Sequence, residues 1–140
     1  MEKNLVKINN FIDVHHVMSL ATSYKDELSV CSLFYAYDTE KKVFVVASSR
    51  DTLHIQHIHE NDKIAGNILL ETDEIGKIQG LQFQGVFNEL IDKNLKNLYY
   101  KKFPYALAML PTLWKIEIKS FKMTDNSLGF GKKLLYSCKD

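Results

Sequence analysis

At 140 residues, with 46% hydrophobic and 25% charged side chains, the chain has room for one domain with its own core and little room for a second. Eighteen lysines and arginines against seventeen aspartates and glutamates leave a formal net charge of +1, which provides neither the basic face of a general nucleic-acid binder nor the charge excess of a disordered chain. Two cysteines outside any CxxC pattern, charges spread through Met1–Asn10 and the lack of any apolar run near 18 residues give no disulfide framework, leader or membrane span, so a reduced, cytoplasmic protein is expected.

Leu5, Ile8, Phe11 and Ile12 recur at spacings of three and four and predict a helix over Glu2–His15. Val17–Ser23 reads as a strand, Lys25–Glu27 as a turn, and Leu28–Tyr37 as the returning strand of a hairpin. After a polar turn over Asp38–Lys42, Val43–Ala47 is a continuous apolar run, the pattern of a strand buried on both faces. Small and polar residues break that run at Ser48–Thr52. A short helix then follows over Thr52–Glu60, with Ser49 or Asp51 placed to cap it. Lys63–Leu70 is a strand. Lys77–Leu90 alternates, with Leu81, Phe83 and Phe87 on one face and Gln82 and Gln84 on the other. Lys93–Lys102 is helical, with Leu95, Leu98 and Tyr99 as its inner stripe. Pro104 interrupts it, although apolar residues run on to Leu110. Trp114, Ile116 and Ile118 alternate with Lys115, Glu117 and Lys119 in a last long strand. Ser127–Gly131 is a glycine-containing loop, and Leu134–Tyr136 adds a short edge strand. Strands joined by short polar turns pair antiparallel. Closing such strands into a small barrel removes exposed edges, so a mainly β fold with flanking helices is expected.

Three segments have the composition of a ligand site. In the first, a buried strand ends at Ala47 and a helix begins within a few residues. Orphan N–H groups in a first helical turn favour an anion, Ser48, Ser49 and Thr52 add hydroxyls, and Arg50 adds a planar fork. Arg50 is the single arginine beside seventeen lysines, which suits a place where bidentate geometry matters. The plainer reading is a capped helix with a solvated arginine. In the second, Gln82 and Gln84 share a strand face and can read the polar edge of a heterocycle, or are simply solvated. In the third, the glycines of Thr124–Lys133 let backbone approach a ligand closely and Lys132 or Lys133 can neutralise a phosphate. An ordinary turn with surface lysines accounts for it as well. His54 and His57 share a helix face at a spacing that can serve a metal, but no nearby cysteine completes a set and no metal is expected. No serine-, cysteine- or carboxylate-based catalytic set stands out, so no catalytic residue is assigned; Tyr35, Tyr37 and His54 are the side chains with suitable chemistry.

Phe34-Tyr35-Ala36-Tyr37-Asp38, Thr52-Leu53-His54, Gly80-Leu81-Gln82-Phe83-Gln84-Gly85, Lys102-Phe103-Pro104 and Thr124–Lys133 together give the chain, over nearly its whole length, a pattern that resembles the pyridoxamine 5′-phosphate oxidase-like split-barrel flavoproteins. Within them it is similar to a bacterial YhbP-like branch. The resemblance implies a six-stranded antiparallel split β-barrel filling residues 1–140 and a homodimer with FMN in the groove between subunits. It also implies a cofactor site that includes Ala47, Ser48, Ser49, Arg50 and Thr52. Gln82 and Gln84 would face the flavin from the partner subunit. Where His54 stands the superfamily often has a lysine, a role that a protonated His54 partly replaces. The true pyridoxamine-phosphate oxidases use several arginines, so vitamin B6 oxidation is not expected of a chain with Arg50 alone. The leading expectation is an FMN-dependent oxidoreductase of unassigned substrate, with a nicotinamide as a suitable electron donor. A flavin- or haem-binding protein without turnover, and a cofactor-free partner-binding dimer, are the alternatives.

Overall fold

The computed structural model describes residues 2–138. It contains seven strands and four α-helices in the order α1 (Glu2–Val14), β1 (Val17–Tyr24), β2 (Glu27–Asp38), β3 (Val43–Ala47), α2 (Leu53–Glu60), β4 (Lys63–Leu69), β5 (Gln79–Glu89), α3 (Lys93–Lys102), α4 (Pro104–Met109), β6 (Leu113–Asp125) and β7 (Lys133–Ser137). The strands are ordered β3-β2-β1-β4-β5-β6-β7, every pairing is antiparallel, and an added β3–β6 pairing closes the first six into a ring. The expected six-stranded split barrel is therefore present, with β7 as a seventh strand outside the ring.

Two strands change partners along their length. β2 pairs with β1 through Glu27–Phe34 and with β3 through Tyr35–Asp38. β6 pairs with β3 through Leu113–Glu117 and with β7 through Ser120–Thr124. Helix α1 binds where these changes occur. Asn4 Nδ2 donates to Leu135 O at 3.2 Å, Tyr35 Oη to Ile12 O at 2.6 Å and Tyr37 Oη to Asn9 Oδ1 at 3.0 Å. The helical stripe of Ile8, Phe11 and Ile12 enters the main core. Burial pushes both tyrosine hydroxyls up, with Asp13 adding to the shift, so they remain neutral donors.

The apolar run of β3 is buried on both faces, as its composition implies. Phe44 and Val46 join the barrel interior, while Val43 and Val45 lie in a second cluster with Leu95 and Tyr99 of α3. Asp92 caps α3 by accepting from the N–H groups of Asn94 and Leu95 at 2.8 and 3.3 Å. Pro104 does more than interrupt that helix. It occupies the first turn of a separate short helix, α4, where a missing N–H costs nothing.

β6 runs further than its alternation suggests. Period two from Trp114 would place Ser120 and Lys122 inside. The register instead slips between Gln84 and Gly85 of β5, so that Gln84 faces Ser120 and Gly85 faces Ile118. This bulge leaves Lys119 unopposed and resets the phase, burying Phe121 and Met123. Gly85 is required at the slip, because a Cβ there would lie 2.5 Å from Glu117 O.

Candidate functional site

In the turn after β3 the hydroxyls of Ser48 and Thr52 are engaged with His54 and Ser49 O, and the one cation, Arg50, is spent elsewhere. Ser48 and Thr52 are half-buried, Ser49 and Arg50 exposed. Ser48 N donates to Thr112 O at 3.1 Å and Trp114 Nε1 donates to Ser48 O at 2.9 Å, which fixes the backbone at the end of the strand. Neither Ser49 nor Asp51 caps α2. Thr52 is the N-cap residue, and its hydroxyl turns back to donate to Ser49 O at 2.8 Å.

Arg50 pairs with the Glu89 carboxylate at the end of β5 and lies 5.3 Å from the Trp114 ring centroid. His54, 8% exposed, places Nε2 at 2.5 Å from Ser48 Oγ and 3.3 Å from Thr52 Oγ1. Burial lowers its pKa below the usual 6.5, and His57 adds to that. In this state His54 is a neutral hydrogen-bond partner rather than the protonated stand-in for a lysine. Facing Ala47–Arg50 across a groove of about 560 Å³ is Met109–Thr112, where Leu110 adopts φ 44° and ψ 57°.

Gln82 and Gln84 lie elsewhere, on the outer face of the barrel. Cross-strand register aligns two rows there: Ser32, Ser19, Asn67, Gln82, Lys122 and Leu135, then Val30, Ala21, Ala65, Gln84, Ser120 and Ser137. Ala21, Ala65, Asn67 and both glutamines are exposed, and the rows line a groove of about 540 Å³. Short side chains in the middle of a sheet leave a shallow floor that is mainly apolar, with the amides of Asn67, Gln82 and Gln84 as its hydrogen-bonding groups.

Lys132 joins neither place within one chain. Its carbonyl accepts from Asp125 N at 2.9 Å, at the opposite end of β6 from the Leu113–Ala47 pairing. The loop before it is held by its own side chains. Asp125 accepts from Ser127 N, Ser127 Oγ and Gln79 Nε2, while Asn126 donates to Ile75 O and accepts from Gly131 N. Gly129 and Gly131 have φ of 136° and 71°, values that favour glycine. Much of this loop's distinctive sequence thus serves the loop itself.

His54 and His57 do not converge on a common ligand. His57 Nδ1 lies 2.8 Å from Thr22 Oγ1 and Nε2 2.7 Å from Glu27 Oε1, which ties α2 to the β1–β2 hairpin. Among the described residues no three His, Cys, Asp or Glu side chains gather as a metal-ion site. Tyr35 and Tyr37 are engaged by α1, through Ile12 O and Asn9 Oδ1. Glu89 and the small residues of β1 and β4 escaped the sequence reading. Ser19, Ala21, Ala65 and Asn67 were visible as small or amide residues alternating with core positions, but only register shows that they continue the Gln82–Gln84 face. Both cysteines are free thiols, Cys31 with its pKa raised by burial. No helix among the described residues is long and apolar enough to cross a membrane.

No protein-family model matches the chain. A UPF0306 protein of Enterobacter sp. (strain 638) is 35% identical over 135 residues, covering 94% of this chain and 95% of that one. The UPF0306 protein YhbP of Escherichia coli O7:K1 is 28% identical over 137 residues, covering 96% and 93%. Among solved structures, a haem-binding protein from Mycobacterium smegmatis matches with a TM-score of 0.80 at 11% identity, over 96% of this chain and 57% of that one. A FAD-binding protein from Mesorhizobium loti matches at 0.72 and 14%, over 84% and 90%. A general stress protein 26-related member of the pyridoxinephosphate oxidase family from Clostridium acetobutylicum matches at 0.70 and 16%, over 98% and 96%.

Proposed function

We propose that this chain, which belongs to the UPF0306 family and folds as a split barrel of the pyridoxamine 5′-phosphate oxidase-like type, binds FMN as a homodimer and acts as an oxidoreductase. The observation that carries this reading is the separation of the hydroxyl turn from the amide-bearing outer face. The hydroxyl turn at Ser48–Thr52 suits a phosphate, and the outer face with Gln82 and Gln84 suits the edge of a flavin ring, yet they occupy different parts of one protomer. In the homodimer we propose, a second copy on the outer face would bring one protomer's turn toward the other's glutamines and toward Lys132, completing a site that one chain leaves divided. Neighbours of this fold that carry a FAD-binding or haem-binding description support a cofactor of that size.

The residues present fit the group. Ser48 and Ser49 would hold the phosphate, and Thr52 and Arg50 would join them on leaving Ser49 O and Glu89. Gln82 and Gln84 would hydrogen-bond the ring edge as donor and acceptor. When bound, FMN supplies hydride and electron transfer, and a nicotinamide is the electron donor we propose. Within this reading the chain's own part is to hold, orient and shield. The exposed apolar side chains of Met109 and Leu110 beside the turn would give the cofactor an apolar flank on that side.

The test is a visible spectrum of the purified protein before and after adding FMN and desalting. Retained flavin bands that bleach with NAD(P)H support the proposal. Protein left colourless by this treatment overturns the FMN assignment. A haem-binding protein is the second reading, favoured by the 0.80 TM-score to a haem-binding neighbour, and a Soret band on adding haem to the colourless protein selects it.

A further inference from the structure

We infer that helices α3 and α4 form a docking surface for an anionic lipid bilayer, with the lysines of α3 at the headgroups and the apolar side chains of α4 immersed beside them. Net charge hides the feature. The chain as a whole carries +1, yet five of its lysines and no aspartate or glutamate fall between Lys93 and Ile116. Two of the five are committed. Lys102 turns inward and donates to Tyr35 O at 2.7 Å, and Lys115 pairs with Glu117. Among the described residues Lys93, Lys96 and Lys101 enter no ion pair. Asp92, the acid that precedes them, caps α3 and pairs with Lys41.

Both helices lie on one side of the barrel, because Leu95 and Tyr99 of α3, Phe103 and Ala106 of α4 pack into the same cluster with Val43, Val45 and Leu113. With Leu95 and Tyr99 inward, the helical period sets Lys93 and Lys101 outward and Lys96 at the side. On α4 and the residue after it, Tyr105 is 94% exposed, Leu107 54%, Met109 80% and Leu110 77%. Pro104 and Ala108 are exposed too, and no charged side chain falls between Pro104 and Pro111.

The manner of exposure selects the occupant. A helix that docks in a protein groove presents one apolar stripe. α4 is apolar and open around most of its circumference, which suits immersion in a fluid hydrocarbon boundary better than a fitted groove. Charge disfavours a second copy. A two-fold contact sets a patch against itself, so Lys93, Lys96 and Lys101 would meet their own copies with no acid in the segment to answer them. An anionic headgroup layer supplies the complement, and each lysine near it strengthens binding. Tyr100 and Tyr105 have the amphipathic rings that favour the level between headgroup and hydrocarbon.

The inference does not depend on the cofactor, and vesicles test it. Full-length protein is mixed with vesicles of phosphatidylcholine alone, or of equal parts phosphatidylcholine and phosphatidylglycerol, and separated by flotation. We expect the parent to float with the mixed vesicles at low salt, to be released by high salt, and to stay behind with phosphatidylcholine alone. Lys93→Gln, Lys96→Gln and Lys101→Gln together should weaken mixed-vesicle binding on the order of a hundredfold. Tyr105→Ser with Leu107→Ser should weaken it by roughly tenfold or more. Met109 and Leu110 also line the groove at the Ser48 turn and are left in place. The two variants alter different helices, so misfolding of one, read by circular dichroism, leaves the other to decide. Equal flotation with both vesicle types, flotation with neither, or undiminished mixed-vesicle binding in a folded variant overturns the inference. Loss of self-association in the Tyr105 and Leu107 variant, read by sedimentation without lipid, assigns the segment to a second copy and overturns it as well.

Discussion

The Arg50 guanidinium is shared between the Glu89 carboxylate and the face of Trp114, so a phosphate at this turn competes with both. Exposed ion pairs of this kind contribute only about 0.2–1 kcal/mol, whereas a hydrogen bond between charged groups contributes roughly 1.5–3 kcal/mol. Arg50→Ala should weaken FMN by roughly 1.5–3 kcal/mol and Glu89→Gln should tighten it a few-fold at low salt, both read by flavin fluorescence titration. Unchanged affinity in Arg50→Ala removes the arginine from the site.

His54 also makes a prediction about stability, together with His15. Both are held below the usual histidine range, chiefly by burial. The unfolded chain binds these protons near pH 6.5, about the free histidine value, and the folded chain only at lower pH. Unfolding takes up protons between those values, so the contribution is full above pH ~6.5 and declines as pH falls through the window. The urea midpoint should drop between neutral and mildly acid pH, with a shallower drop in His54→Gln. An equal slope in the variant would show that His54 does not titrate with folding. Ser48, Thr52 and His54 were legible as a group because they cluster within seven residues. That Arg50 points to Glu89 was not, since those residues are 39 apart and only the barrel brings them together.

Among the elements, β5 and β6 depend on their bulge. Gly85 sits against the Glu117 carbonyl with no room for a Cβ, and the backbone there cannot yield as a side-chain tip can. Gly85→Ala should cost on the order of 1–3 kcal/mol by overpacking, measured by chemical denaturation, whereas Gly76→Ala, in open space, should be nearly neutral. Helix α2 depends on His57. Thr22→Val leaves Nδ1 of a buried ring without its partner and should cost about 1–3 kcal/mol. Element types were readable from periodicity because each strand or stripe has one clear phase. β6 exceeded its predicted span because a bulge changes that phase midway. The α2 cap went to Thr52 rather than to Ser49 or Asp51, since the turn's geometry, not composition, decides which hydroxyl faces the helix.

At the scale of the whole molecule, the outer face is the surface on which the proposed homodimer depends. Ala65 lies at its centre with its side chain outside the core, so Ala65→Arg should leave the barrel folded while opposing association. Sedimentation should show a dimer for the parent and a monomer for the variant, and FMN should be lost with the dimer. A monomeric variant that keeps FMN would place the site within one chain. Barrel closure itself was legible from the order of antiparallel strands, but the continuous face was not. It requires residues from six strands to align, and their spacing along the chain records no register.

The seam where α1 meets β7 has a consequence for how the chain reaches this state. Asn4 and Leu135 are joined by a hydrogen bond across 131 positions, and the ring closes only when β3 meets β6 some seventy residues later in the chain. Helix α1 precedes every strand of the barrel, and although Tyr35 and Tyr37 of β2 can hold it early, the core that receives the stripe of Ile8, Phe11 and Ile12 is complete only when the late strands have been made. Such non-local wiring belongs to domains that fold in milliseconds to seconds. During that interval the unfinished chain leaves part of an apolar helical stripe uncovered, so the hazard of association lies in the folding chain more than in the finished barrel.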